Sequence, residues 1–440
     1  MAQAPQVLKR ELGLFGATMM GMGSILGTGV FVSIGIASGV AGPAVILAIA
    51  LAALVAICNG LNSAQLAANH AVSGGTYEYG YKFLNSWFGF TAGWTFLLAK
   101  TASAATAALG FAGYLLNLLG VDTRDFIIPL GLLAALVLTV VVLSGLRRSN
   151  ATNIVIVSIT MSALALFVIT GLPKLVDAGS ENLSPFFNPA GNPVANLLQA
   201  TALMFVAYTG YGRIATMGEE IRDPRRVIPR AIIVAMFLTM ALYISVAIVG
   251  VGVVGTEVLS GVTQSQTAPL EIAARQFDFP LTPQVVAVGA ITAMLGVLLN
   301  LILGLSRVLL AMGRHRDMPR VTTRISSNNA TPYVAVLIVG IGIATLVLIG
   351  NVKTTWSFSA FTVLIYYAIT NLSALQLKGA ERLYPKWLAW VGLAACLFLA
   401  FWVEVHIWSV GLGMIVLGLI WHAVAQRLAA SSETSSDIQQ

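Results

Sequence analysis

The chain is 440 residues long, 58% hydrophobic and only 9% charged, against about 25% charged residues in an ordinary soluble domain. No soluble fold can hide that much apolar surface, so a globular protein in aqueous solution is excluded. The net charge of +7 does not point to nucleic acid either, because the basic residues fall between apolar runs and not on one polar face.

A bilayer core about 30 Å thick takes about 20 apolar residues per helix, and the runs between charges and Pro, Gly or Asn breaks predict twelve spans. The first six lie near 14–36, 44–67, 87–117, 127–146, 152–172 and 195–217. The second six lie near 231–254, 283–312, 332–350, 355–377, 387–403 and 405–426, leaving tails at 1–12 and 428–440. The run after Lys9 and Arg10 has no small-residue cleavage site and reads as a retained first span. With both termini in the cytoplasm, only Arg124, Lys174, Arg275 and Lys353 of the 24 Lys and Arg fall outside, and Lys100 lies within a span. The positive-inside rule supports that orientation, and a multi-pass plasma (inner) membrane protein is expected. Cys58 and Cys396 sit far apart inside apolar runs, in neither a disulfide framework nor a metal-ligand spacing, so no metal is expected.

Two spans carry glycine clusters that weaken a helix: Gly21 to Gly29 in the first, and Gly210 and Gly212 after Ala207-Tyr208-Thr209 in the sixth. One reading is close helix packing through small residues, which Gly23 and Gly27 fit. The other is interruption. Spans five apart run in opposite directions, and paired interruptions in two halves mark a midplane binding site within a five-plus-five inverted repeat. The predicted architecture is therefore an all-α integral membrane protein of one domain. Repeat one covers about 14–172, repeat two about 195–377, and two extra helices about 387–426. Backbone freed in hydrocarbon survives only where it lines a cavity or meets a ligand. A zwitterion supplies both partners: a carboxylate for the amides after Gly27, at the positive end of a half-helix, and an ammonium for the carbonyls before it.

Gly23-Ser24-Ile25-Leu26-Gly27-Thr28-Gly29-Val30-Phe31 resembles the G-S-I-I-G-x-G-I-F signature of the amino acid–polyamine–organocation permeases. Three further stretches agree in order. Phe205 to Tyr211, followed by Ile214-Ala215-Thr216-Met217-Gly218-Glu219-Glu220, Asp223-Pro224 and Ile228-Pro229, is similar to the family's sixth-span region. Ser73 to Tyr79 with Gly93-Trp94 resembles the entry to span three, and Ser306-Arg307 through Met312-Gly313-Arg314 the end of span eight. The resemblance covers residues 14 to about 320 by motif and the rest by hydropathy. It implies a LeuT-type fold and a secondary active transporter or exchanger of amino acids, expected to be neutral, working by alternating access. Ser24, Gly27, Thr28 and Gly29 would meet the carboxylate and Ile25 the ammonium, while Phe205, Val206, Ala207 and Tyr208 would form the sixth-span wall.

Departures bear on coupling. Proton-linked relatives often have a lysine in span five where this chain has Thr160. That hydroxyl either packs against its own turn or belongs to an ion site. Sodium would need about five oxygens, and the eighth span near 292–300 is poor in hydroxyls, so H+ is the favoured coupling ion over Na+. Lys100 lies thirteen residues beyond Trp87, roughly 20 Å along a helix, too deep to snorkel easily. An ammonium there is expected to face a cavity, either cycling a proton or repelling cationic cargo. Glu219, Glu220 and Arg222 read either as a cytoplasmic ion-pair gate or as a solvated loop.

Rival readings are a cationic amino acid or polyamine carrier, which lacks its buried acid here, and a non-transporting amino acid sensor. A membrane enzyme would need a buried catalytic cluster, and His70, His315, His406 and His422 are scattered. The loop from Gly120 to Phe126 has no cysteine, whereas heteromeric relatives have one, so no disulfide-linked heavy chain is expected. The expected state is a monomer or weak homo-oligomer.

Overall fold

The computed structural model describes residues 12–70, 74–121, 125–145, 150–215, 221–265, 267–326 and 331–437, with side chains as far as 427. Among these residues the only extended pairing is an isolated bridge between Leu12 and Ile221; almost everything else is helix.

In chain order the helices are α1 (Leu14–Ile25), α2 (Ile34–Ala41), α3 (Val45–Asn69), α4 (Thr76–Phe83), α5 (Ser86–Leu118), α6 (Ile127–Leu143), α7 (Asn150–Ala178) and α8 (Pro193–Tyr208). They continue as α9 (Gly212–Ala215), α10 (Pro224–Ser265), α11 (Pro269–Ala274), α12 (Thr282–Arg314), α13 (Tyr333–Val347), α14 (Val352–Leu375), α15 (Lys386–Ala400) and α16 (Val405–Asp437). Seven helical stretches among the described residues are long and apolar enough to cross a membrane, and α1, α6, α13 and α15 are shorter apolar helices.

Local chemistry explains the starts and stops. Asn85, Asn192 and Asn351 cap α5, α8 and α14, each side chain accepting from an amide of the first turn, a contact worth about 1 kcal/mol. Proline opens α8 and α11, where its missing N–H costs no helical hydrogen bond. Within α10 the chain leaves helical geometry at Gly255, with φ of 79°, a region glycine enters without steric cost.

The first predicted span is made of α1, a π-helical turn at Gly29–Ser33, and α2. Two expectations need correction. α10 extends past both ends of the predicted seventh span, because Pro224 starts it early and a second helical segment follows the Gly255 kink. Most of the predicted C-terminal tail, 428–440, is the continuation of α16 to Asp437; Leu428 to Thr434 offers no Gly or Pro to stop a helix.

α5 is the hub, packing most extensively on α14 and α12, while α3 packs on α10 and α8, and α1 on α10 and α7. Small residues permit this: Ala102, Ala104, Ala105, Ala107, Ala108 and Ala112 of α5 are all fully buried. Without a hydrophobic drive between helices in lipid, such close packing is the main cohesive force. Buried polar ladders add to it. Asn62 donates to Asn371 Oδ1 at 2.7 Å, Gln65 donates to Asn62 Oδ1 at 2.8 Å, and Asn371 donates to Asn59, so α3 is pinned to α14.

On the face that carries α4, one residue, Asp317, joins α4 to α16. Asp317 accepts from the phenols of Tyr77 (2.8 Å) and Tyr81 (2.6 Å), lies 3.1 Å from His422 Nδ1, and receives the Trp421 indole N–H on its backbone carbonyl at 2.8 Å. Burial and the adjacent Asp317 carboxylate push both phenols far above the usual tyrosine range, so both remain proton donors.

Candidate functional site

α1 stops at Ile25 because Leu26 is extended, with φ −73° and ψ 110°. The Leu26 amide still reaches Met22 O at 2.7 Å, and the chain restarts when Val30 and Phe31 both donate to Gly27 O, at 3.1 and 3.2 Å. Between these bonds, the Gly27 amide and the Thr28 hydroxyl find no partner among the described residues, although Thr28 is only 4% exposed. A buried hydroxyl without a partner costs about 1–3 kcal/mol. Glycine is required here by crowding: a Cβ on Gly27 would lie 2.7 Å from Val297 Cγ2, and one on Gly29 2.7 Å from Ala207 Cβ.

The second interruption is tighter than expected. α8 stays wound to Tyr208, passes into a 3-10 turn at Thr209–Tyr211, and continues as α9, with Thr209 N–H bonded to Val206 O. It is a change of winding and not an open loop. The two interruptions touch directly, since a Cβ on Gly210 would collide with the Ser24 carbonyl and lie 2.6 Å from Ile25 N.

Three side chains from other helices close on this junction. Tyr243 of α10 donates to Ile25 O at 3.0 Å and lies 3.5 Å from Ala207 O. Tyr367 of α14 donates to Thr209 O at 3.1 Å. Lys100 of α5 donates through Nζ to Thr209 Oγ1 at 2.7 Å. From the other side, Asn153 of α7 donates to Met19 O at 2.8 Å and packs flat on Gly23.

The expected site residues therefore divide. Ile25, Gly27, Thr28, Gly29, Val206 and Ala207 surround the junction, and Ser24 borders it with its hydroxyl donating to Met20 O at 3.3 Å. Phe205 packs edge-on against Tyr367 with ring centres 5.7 Å apart. Tyr208 turns its hydroxyl away, toward Ile49 O of α3 at 3.3 Å, so its ring and not its hydroxyl borders the junction, 5.4 Å from the Tyr243 ring. The Ile25 carbonyl already accepts a hydrogen bond from Tyr243. Thr160 donates to Ile156 O at 2.8 Å, which is the local packing role. Glu219 and Glu220 lie outside the described residues, and the Arg222 amide donates to Leu12 O at 2.9 Å. Tyr243, Tyr367, Thr209 and Asn153 were not legible as site residues. Tyr243, Tyr367 and Asn153 are ordinary residues in apolar helices, and Thr209, although beside the glycine cluster, has a side-chain partner over a hundred positions away.

On the opposite face, α11 covers the junction. Tyr114 of α5 donates to Phe31 O at 2.8 Å and accepts from the Leu270 amide at 3.3 Å. Glu271 beside it is 2% exposed and pairs with Arg275 at 3.1 Å. Burial raises the Glu271 carboxyl, opposed by Arg275. Among the described residues no group of three or more His, Cys, Asp or Glu could hold a metal ion.

Many apolar helices around a buried, backbone-rich junction define a multi-pass membrane transporter. The family model for amino acid permeases matches residues 16–435. An uncharacterised transporter of Mycobacterium tuberculosis is 38% identical over 94% of this chain and 90% of its own length. The branched-chain amino acid permease BcaP of Bacillus subtilis is 27% identical over 74% of this chain and 72% of its own. The cationic amino acid transporter 7 of Arabidopsis thaliana is 26% identical over 84% and 66%. The chain belongs to the amino acid permease family, within the amino acid–polyamine–organocation superfamily.

Proposed function

We propose that the protein is a secondary transporter of amino acids with uncharged side chains, working by alternating access across the plasma membrane with both termini in the cytoplasm. Its helices form twelve spans, a five-plus-five inverted repeat followed by α15 and α16. The cargo carboxylate is held at Gly27 and Thr28, and the ammonium near the carbonyls of Ile25 and Ala207. Phe205, Val206 and the Tyr208 ring grade the side chain.

The observation that carries this reading is a free amide and a free hydroxyl side by side at the start of a helical segment, pressed against the end of α8. Helix starts favour anions and helix ends favour cations, so the junction suits a zwitterion without a charged ligand side chain. The α11–Tyr114–Phe31 contacts belong to a form closed on the outer side. Opening outward requires those bonds to part.

Uptake of labelled L-leucine into proteoliposomes, with and without an imposed proton or sodium gradient, tests the proposal. Saturable uptake competed by other neutral amino acids is expected. Binding of L-leucine with no flux under any gradient would refute transport.

A further inference from the structure

Three charged side chains other than histidine are buried among the described residues: Lys100, Glu271 and Asp317. Glu271 has Arg275, and Asp317 has two phenols and His422. Lys100 is different. The residue is 8% exposed, its ammonium makes its one side-chain hydrogen bond to a neutral hydroxyl, and it has no carboxylate within ion-pair distance among the described residues.

Position gives that charge its consequence. Thr209 Oγ1 donates its own hydrogen bond to Val206 O at 2.8 Å, so the ammonium sits one hydroxyl away from the carbonyl end of α8. That end carries the negative pole of the helix dipole, which the Lys100 ammonium partly neutralises, so a further cation on the cargo side chain gains little from it. A primary ammonium has three N–H donors, and among the described residues Thr209 accepts one of them. The next residue, Gly210, is in contact with Ser24 and Ile25, so the charge lies beside the fused interruptions and not at the periphery.

We propose that Lys100 is a specificity residue, a resident cation at the carbonyl end of α8 that bars amino acids with a positively charged side chain from the junction. The inference rests on the amino acid site proposed above and adds what selects among cargoes. At an effective dielectric near 20, two unit charges about 6 Å apart repel by roughly a hundredfold in affinity. A carrier of cationic cargo needs the opposite arrangement, an acid near this place.

L-norleucine and L-lysine have side chains of nearly the same length and differ by the terminal charge, so their dissociation constants on the purified full-length protein isolate the effect. The parent is expected to bind L-norleucine about 100-fold more tightly than L-lysine. Lys100→Met should collapse that ratio toward one, while Lys100→Arg, which keeps the charge, should preserve most of it. Lys100→Gln serves where Lys100→Met does not fold. Equal affinity for the two ligands in the parent, or an unchanged ratio in the neutral variants, overturns the specificity role and leaves the amino acid site standing. Binding of neither ligand to the parent overturns the site and this inference together.

Discussion

Gly210→Ala asks whether the two interruptions work as one object. The added Cβ would sit 2.6 Å from Ile25 N and closer still to the Ser24 carbonyl. Both are backbone atoms that cannot rotate away as a flexible side chain would. Restoring an ordinary contact of about 3.4 Å to the Ser24 carbonyl requires α1 and the 3-10 turn to separate by roughly 1 Å, and overpacking of this kind costs about 1–3 kcal/mol. A displacement near 1 Å at a preorganised site is worth about 100-fold in function. Uptake of L-leucine into proteoliposomes should therefore fall by about that factor, with a lower unfolding temperature. Gly413→Ala is the matched control, because a Cβ there meets nothing within 4 Å; it should leave uptake unchanged. Parental uptake by Gly210→Ala would refute the contact and the shared site built on it.

Thr28→Val removes a hydroxyl that has no partner among the described residues, so it should raise the unliganded unfolding temperature by a few °C and not lower it. It should weaken L-leucine binding by about 10–100-fold, the worth of a hydrogen bond to a carboxylate; calorimetric titration reads it. Tyr243→Phe deletes the donor to Ile25 O and should cost about 1 kcal/mol, read as a shift of about 1–2 °C in a chain of this length. Glu271 predicts a pH response. Its carboxyl is raised by burial, so the docked form of α11 favours the protonated acid: docking strengthens as pH falls through that raised value and weakens as pH rises through it. Protection of the 270–274 amides, taken relative to their intrinsic exchange at each pH, should rise on acidification, and Glu271→Gln should abolish that rise. Asp317→Asn should speed amide exchange at 76–83, because a neutral amide is the weaker acceptor for two phenols; unchanged exchange would remove Asp317 as the anchor of α4.

What could be read from the sequence was whatever leaves a mark along the chain. Gly27, Gly29 and Gly210 stand out because a cluster of glycines in an apolar run needs a reason, and crowding against Val297, Ala207 and the Ser24–Ile25 peptide supplies it. Lys100 stands out as an ammonium in an apolar run. Its partner Thr209 does not, because nothing local marks a hydroxyl over a hundred positions away as its acceptor. Tyr243 and Asn153 are invisible for the same reason: each reads as one more residue of a helix, and only packing brings them to the α1 backbone. The winding of Thr209–Tyr211 was misjudged because glycine content signals weak helix without telling a 3-10 turn from an open strand.

The anchorage at Asp317 makes distant parts of the chain mechanically one. α4 sits between the second and third predicted spans, yet its two phenols are fastened to the carboxylate of Asp317, a residue the last helix also holds through His422 at the carboxylate and Trp421 at the backbone carbonyl. Trimming the protein before Trp421 would remove both contacts of the last helix to Asp317 and should loosen the packing of α4 near the start of the chain.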